Sequence, residues 1–419
     1  MALMHLIAEW YRASADAVLP PPLVLTVDHG LRADAAAEAR FVAEQARSLG
    51  FDHETLVWSG HKPSSGLQAA ARQARFDLML DRVARGDPPR DLVLAHIQED
   101  QAETLLMRLA RGSGIDGLSA MRPRERRVVV ALGHPVHELS VDLHRPFLDV
   151  SKQRLQAYLR RLGLPWCEDP SNEDVRFERI RLRQSAASLA ELGLTSEALS
   201  RTARRMRAER LALQDRTRIL AATVTDDHEG AFGELSLAHG TLWLAPDVVR
   251  LISPILDVFG GVALPAQLSQ IETLADRICS QTMQSSGGVT LGGCLVEISN
   301  NEKARRIRVF REFSREPLPT IKVAPGEGIF WDRRFYISVA QAATGPIEIA
   351  PFGVTAADPS NAKLPRRSLA GLPAYRLEEP PNLRLLRPPD HAHIVCQWPL
   401  QHAQRVRWRM DEVRPLETI

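Results

Sequence analysis

The chain is poor in cysteine and has no long apolar run, and each absence narrows what it can be. Its four cysteines, Cys167, Cys279, Cys294 and Cys396, lie far apart and form no C-x-x-C pair. A structural zinc site lacks its ligands, and free thiols in a reducing cytosol are expected. No stretch approaches the roughly 20 apolar residues that a membrane span needs. The opening "MALMHLIAEW" lacks the basic n-region and small-residue cleavage site of a signal peptide, and Glu9 and Arg12 fall within the same helical pattern. The expected location is therefore cytoplasmic. Net charge is also low: 53 Lys+Arg against 51 Asp+Glu leaves +2, so no overall field demands an anionic partner. Internal repeats and long low-complexity tracts are missing too.

What is present is an ordinary globular composition, 44% apolar and 25% charged over 419 residues, long enough for two or three domains. Met1 to Ala15 has apolar residues at helical spacing. After "PPP" come an apolar strand, Leu23 to Val27, a helix from Ala35 to Leu49 with Gly50 as its stop, a strand in "DHETLVW", an alanine-rich helix in "GLQAAARQARFDLMLDRVAR", a strand in "DLVLAHI" and a helix in "DQAETLLMRLARG". Alternating strand and helix predicts a doubly wound parallel sheet, whose ligands bind beyond the carboxyl ends of the strands. From about Ser151 the alternation stops. "SKQRLQAYLRRLG" and the span from Leu194 to Val224 read as helices. The second carries Arg201, Arg204, Arg205, Arg207, Arg210, Arg216 and Arg218. From about Gly233 short strands follow: "GELSLAHGTLWLA" reads as a hairpin, and "SGGVTLGGCLVEI" pairs with "RRIRVFRE". Beyond about Thr344 the chain is proline-rich and weakly patterned. Expected domains are 1–185, 186–310 (helical and hairpin) and 311–419.

"LAHIQEDQAETLLMRLARGSGIDG" places His96, Asp100 and Glu103 within eight residues, at a strand end and a helix start. Asp100 and Glu103, three apart, share a helix face. They read either as caps favoured by the helix N-terminus or as carboxylates aimed at a cationic amine or a magnesium ion. Gln101 and Thr104 would lie beside them. Gly112 belongs to "RGSGIDG", a glycine-rich stretch that is either a phosphate loop or a helix stop. In "VDHGLR", Asp28, His29 and Arg32 follow a strand, where an Asp is either a turn residue or a ligand contact. Arg72 and Arg75 near a helix start are either solvated or phosphate-binding. "WCEDPSNEDVRFERIRLR" combines a turn signal, Asp169 to Asn172, with Arg176, Arg179, Arg181 and Arg183, either an exposed basic helix or a contact to a nucleic-acid backbone.

In combination, "VDHGLR", "LQAAARQARFD", "AHIQEDQAETLLMRLARGSGIDGL", "RPFLDVSK" and "WCEDPSNEDVRFERIRLR" resemble the tRNA(Ile)-lysidine synthase family of the PP-loop ATPase superfamily. The resemblance is strong from about residue 20 to 185, fair through the long helix and thinner beyond about 240. It implies a Rossmann-like PP-loop domain, then a helical and hairpin tRNA-binding region over 186–310 and a smaller α+β C-terminal part. It also implies ATP and magnesium as cofactors, with free L-lysine and an isoleucine tRNA with a CAU anticodon as partners, and it allows a homodimer. The implied reaction activates C2 of the wobble cytidine with AMP and replaces that group with lysine. Asp100 and Glu103 would hold the lysine, Arg72 with Arg75 would serve the phosphate, and His96 would donate a hydrogen bond or support the strand end. Asp28, His29, Arg75 and Gly112 would face the nucleotide, and Asn172, Arg176, Arg179 and Arg181 the tRNA. No side-chain metal site is implied.

The sequence departs from the family at one place. The S-G-G-x-D-S loop and the first strand before it are missing, and "MALMHLIAEW" matches the segment just past that loop. Such a loop cradles phosphates with backbone N–H groups. The expectation is that an enzyme lies behind this sequence but that these 419 residues alone do not catalyse. The alternatives are a catalytically inactive tRNA-binding remnant and another PP-loop enzyme, such as a tRNA thiolase, against which the lack of paired cysteines argues.

Overall fold

The computed structural model describes residues 1–14, 20–31, 35–59, 62–63, 66–87, 90–131, 137–166, 178–226, 231–240, 243–262, 265–280, 286–343, 345–353, 365–376, 383–385 and 394–397. Two compact units emerge, Met1–Ala131 with Glu138–Arg210, and a second made largely of Leu211–Ile419.

The first unit alternates as its sequence pattern requires. Its elements are α1 (Ala2–Ala13), β1 (Leu23–Asp28), α2 (Ala35–Ser48), β2 (Asp52–Val57), α3 (Leu67–Ala84), β3 (Asp91–Val93), α4 (Gln98–Ala110), α5 (Ile115–Leu118), β4 (Arg124–Ala131), β5 (His137–His144), α6 (Lys152–Arg161), α7 (Glu178–Gln184), α8 (Ala186–Glu191) and α9 (Ser196–Val224), whose start lies here and whose end lies in the second unit. β1 and β2 pair in parallel, Leu23 opposite Asp52 and Asp28 opposite Val57. β3 pairs in parallel with β5, and β4 flanks β5 on its other side. This is the α/β arrangement that the alternation predicts.

Among the described residues no ladder joins β1 to β3. Yet α3 packs against both strands, and Met79, Phe76 and Leu80 share one apolar cluster with Leu25, Val27, Leu92 and Leu94. The apolar face is thus continuous where the hydrogen bonding is interrupted. β1 is apolar in sequence, but none of its residues is fully buried. An interior strand of a doubly wound sheet is normally covered on both faces.

The second unit is antiparallel. It contains β6 (Thr225–Asp226), β7 (Gly233–Ala238), α10 (Ala245–Phe259), α11 (Leu268–Cys279), β8 (Ser286–Leu291), β9 (Cys294–Asn300), β10 (Ala304–Arg311), β11 (Ile321–Val323), β12 (Gly328–Trp331), β13 (Phe335–Val339), β14 (Ile347–Pro351), α12 (Arg366–Ala370), β15 (Pro373–Arg376), β16 (Leu383–Leu385) and β17 (Ile394–Gln397). One sheet runs β6-β7-β10-β9-β8, with α10 and α11 over its buried Leu235, Val296 and Ile307. β8 and β9 meet at Gly292 and Gly293, both at positive φ. A side chain on Gly293 would collide with the carbonyl of Gly260. "CLVEI" pairs with "RRIRVFRE" as expected, Arg311 opposite Cys294.

Among the described residues the expected hairpin in "GELSLAHGTLWLA" does not appear. Gly233–Ala238 pairs with β10 and β6 instead, and the chain enters α10 at Ala245. Pro246, in the first helical turn, has φ already set for a helix and no N–H to give a ladder. The weakly patterned stretch beyond Thr344 contains β14 and β15, paired from Glu348 opposite Arg376 to Pro351 opposite Pro373. No described helix is long and apolar enough to cross a membrane.

Candidate active site

Of the charged residues singled out in the first unit, His96, Asp100, Glu103, Arg72 and Arg75 converge at the carboxyl end of β3. Past Val93 the chain leaves the sheet along the segment after β5: Leu94 N–H donates to His144 O (2.8 Å), and Gln98 N–H to Val150 O (3.0 Å). α4 then begins at Gln98. Asp100 closes its first turn by accepting the Ile97 N–H at 3.0 Å, so the capping reading of Asp100 holds. Gln101 and Thr104 hold structure rather than ligand. The buried Gln101 amide exchanges two hydrogen bonds with the Met121 backbone, and the Thr104 hydroxyl donates to Asp100 O.

Glu103, one turn along, has only 7% of its side chain exposed. Its carboxylate accepts Arg183 Nε at 2.6 Å and Nη2 at 3.3 Å, and the same Nη2 lies 3.4 Å from Asp100 Oδ1. Burial pushes the Glu103 carboxyl above its usual range, and Arg183 partly offsets this. Burial alone would lower the Arg183 guanidinium, but Glu103 outweighs it and the net shift is upward. α7 packs against α4, which brings Arg183 to this place.

Arg72 and Arg75, three apart on α3, face the same cluster and flank the ring of Phe76. Burial, then the charges of Arg179 and Arg75, lowers Arg72 to about 10; burial and Arg179 lower Arg75 as well. Arg145, just past β5, is buried. Its Nη1 donates to Arg122 O (2.9 Å) and Glu125 Oε2 (3.0 Å), while its Nε is buried with no partner. Arg75 Nε and His96 Nδ1 are likewise buried and unpartnered. Burial lowers His96 to about 4, with Arg145, Arg72 and Arg75 acting in the same direction against Asp100. The imidazole is therefore neutral near pH 7. Arg72, Arg75 and Arg179 have no carboxylate at ion-pair distance among the described residues, and the charge of Asp100 acts on Arg72, Arg75, His96 and Glu103 alike. Guanidinium groups held together in partial burial with unfilled donors make a strong anion site.

The other expected residues fall in several places. Asp28, at the carboxyl end of β1, accepts the N–H of Gly30 at 2.8 Å and shapes the turn there. His29 is next in the chain. Burial and then Arg75 lower its pKa, its Nδ1 is buried without a partner, and its ring meets Trp58 edge-on. Lys62 lies over that Trp58 ring and donates to Gly30 O at 3.1 Å. Gly112 is not brought to the cluster. It sits at φ +65° past the end of α4, about 18 Å from Asp100 along the helix axis at 1.5 Å per residue. Arg179 is half-buried at the cluster, whereas Arg181 is exposed. Arg32, Cys167, Asp169, Pro170, Ser171, Asn172 and Arg176 lie outside the described residues. Arg183 and Arg145 join the site without having been expected there. A signal for Arg183 did exist: four residues after Arg179, it shares that helix face, and Arg181 does not.

The arginines of α9 contribute less to the surface than their number suggests. Arg201 pairs with Glu197, Arg204 with Asp149, Arg210 with Asp116, Arg216 with Asp247 and Arg218 with Asp215. Among the described residues no three His, Cys, Asp or Glu side chains converge, and Arg183 already holds the carboxylate pair. In the second unit the Cys294 thiol is fully buried, donates to Leu256 O and is pushed up to about 12 by burial.

The PP-loop domain family matches residues 1–189. A Ruegeria pomeroyi protein described as tRNA(Ile)-lysidine synthase is 36% identical over 340 residues, covering 80% of this chain and 73% of its own. Proteins of the same description are similar in Bradyrhizobium diazoefficiens (41% identical, 65% of this chain, 73% of its own) and Rhodopseudomonas palustris (39%, 72% and 85%). The chain belongs to the tRNA(Ile)-lysidine synthase family.

Proposed function

We propose that this chain modifies an isoleucine tRNA bearing a CAU anticodon, joining free L-lysine to C2 of the wobble cytidine at the expense of ATP. In the first step the C2 oxygen attacks the α-phosphorus of ATP and pyrophosphate leaves. In the second, the lysine amine attacks C2, loses a proton, and AMP departs with the former C2 oxygen. Adenylation turns a poor leaving oxygen into a good one, and holding three reactants together supplies much of the rate. The observation that carries this reading is the arginine group, Arg72, Arg75, Arg145 and Arg179, beside the carboxylates of Asp100 and Glu103.

The residue roles follow from their chemistry. Arg72, Arg75 and Arg145 bind the departing phosphates, whose charge grows in the transition state. His96, held neutral, is too weak a base to take the amine's proton and instead hydrogen-bonds at the strand end. Asp100 and Glu103 hold the ammonium end of lysine. Asp28 and His29 form the rim on the nucleotide side. Arg179 and Arg181, with Asn172 and Arg176, meet the tRNA. An anticodon base is already partly unstacked, so little is lost in presenting it. Magnesium, if used, arrives on the nucleotide phosphates.

The split sheet supports one addition to this reading. A strand hydrogen-bonded between β1 and β3, followed by an S-G-G-x-D-S turn, would cover half-exposed β1 and bring a phosphate cradle to the arginines. The test is pyrophosphate release from ATP on adding the tRNA and lysine, measured for the chain with and without that strand and turn fused ahead of Met1. Faster release by the fused chain is expected. No release by a folded fused chain would leave a tRNA-binding protein without ligase activity, and release by the bare chain at an equal rate would remove the strand proposal.

A further inference from the structure

We infer that Arg183 stands in for the substrate's ammonium group: its guanidinium fills the cation site formed by Asp100 and Glu103, and lysine enters by displacing it. This rests on the ligase reading above and adds the exchange to it. The guanidinium bridges both carboxylates, two contacts to Glu103 and one to Asp100. The two partners differ in burial. The Glu103 side chain is 7% exposed and Arg183 is 41% exposed, so the carboxylate is fixed inside while its cation sits at the mouth. A carboxylate so buried keeps its charge only with a cation beside it, because leaving it charged and unpaired is costly. The charged site therefore never stands empty: one cation leaves as another arrives. An ammonium is a compact point charge with three donors, suited to two carboxylates one turn apart.

The displaced guanidinium has somewhere to go. Arg179 is one turn earlier on the same face of α7 and already acts on Arg72, Arg75 and Glu103. A fourth cation beside those arginines is unfavourable until a phosphate is bound there. Lysine entry and nucleotide binding should therefore favour each other. Glu99, whose charge also acts on Arg183, holds the amino end of α6 through the Lys152 N–H and stays in place.

The test is calorimetric titration of L-lysine into the intact chain, wild type and the variants Arg183→Ala, Arg183→Gln and Glu103→Gln, with the fold of each followed by circular dichroism. Removing the competing cation should tighten lysine binding roughly tenfold in Arg183→Ala and Arg183→Gln, and Glu103→Gln should abolish it. In Arg183→Gln, which keeps hydrogen bonds and loses the charge, lysine should also raise the melting temperature more than in wild type. Binding lost with Glu103→Gln but unchanged or weakened in both folded Arg183 variants would overturn the exchange and leave the lysine site standing. Lysine binding that is absent throughout, or indifferent to Glu103→Gln, would overturn both. Binding seen only in the Arg183 variants supports the exchange in its strongest form.

Discussion

Arginine does opposite things in the two units. In the second, Arg311 and Arg334 are both buried against one carboxylate, Asp332. Arg311 meets Asp332 through Nε at 2.9 Å and Nη2 at 3.0 Å, and gives Nη1 to the carbonyls of Gly293 and Glu312. Arg334 meets Asp332 at 2.6 Å and donates to Gly371 O. The group ties β10, the β12–β13 turn and the turn after α12 into one body. In the first unit Arg72, Arg75 and Arg179 crowd around shared Asp100 without an ion pair, and Arg75 and Arg145 keep buried, unfilled Nε atoms. The difference lies in matched charge rather than in burial or in unfilled donors, since Arg334 too keeps a buried, unpartnered Nη1. Arginines whose charge and most of whose donors are matched inside the protein hold it together, and arginines that share too little negative charge are arranged for something that arrives.

That comparison can be broken from either side. The largest effect belongs to Asp332→Asn. Asparagine tolerates the φ of +49° found there, so only the charge is lost, and two buried guanidinium groups are left uncompensated. The second unit should lose about 3–5 kcal/mol in denaturant unfolding, with anion binding by the first unit unchanged. Next comes Arg75→Ala. It should weaken pyrophosphate binding about 30- to 100-fold in a calorimetric titration and cost the fold little, because it relieves repulsion from Arg72 and Arg179. A large loss of stability instead would make Arg75 a structural residue like Arg311.

A pH scan sharpens the comparison further. The His96 pKa is about 4 in the folded chain against an ordinary 6.5, so the folded state binds fewer protons between these values. Stability from this group is complete above about pH 6.5 and is lost as pH falls towards 4, at no more than about 1.4 kcal/mol per pH unit. Burial is the main cause, with Arg145, Arg72 and Arg75 adding to it and Asp100 opposing. His96→Gln should flatten that part of the curve for the first unit; an unchanged curve would mean that His96 does not contribute. The smallest effect is expected of Gly112→Ala. Nothing lies within 4 Å of the new Cβ, but φ is +65°, so about 1 kcal/mol of strain is expected, with no change in pyrophosphate or lysine affinity. An affinity change would bring the glycine-rich stretch after α4 back into the site.

Much of the first unit could be read in the residues because its signals are local. β1 begins at Leu23 as expected, α4 begins within a residue of Glu99, and Asp100, Glu103, Arg72, Arg75 and His96 do converge. Strand ends and helix faces decide this, and both follow from short spacing. The arginines of α9 were illegible because Asp116, Asp149 and Asp247 reach them from distant elements. The pairing of β7 escaped the sequence pattern for a related reason: its partner, β10, lies some 70 residues on, with Leu235 opposite Ile307. The engagement of Glu103 by Arg183 needed the packing of α7 on α4, which helical periodicity cannot foresee.

On the proposed reading, the arginine group and the Asp100–Glu103 pair form one site for joining lysine to an adenylated cytidine. The test is nucleoside mass spectrometry of an isoleucine tRNA transcript with a CAU anticodon, after incubation with ATP, lysine and the chain carrying the added strand and S-G-G-x-D-S turn. A lysine adduct on the wobble cytidine is expected, lost with Arg75→Ala and with Glu103→Gln and kept with Gly112→Ala. Full product formation by both the Arg75 and the Glu103 variants would contradict the claim.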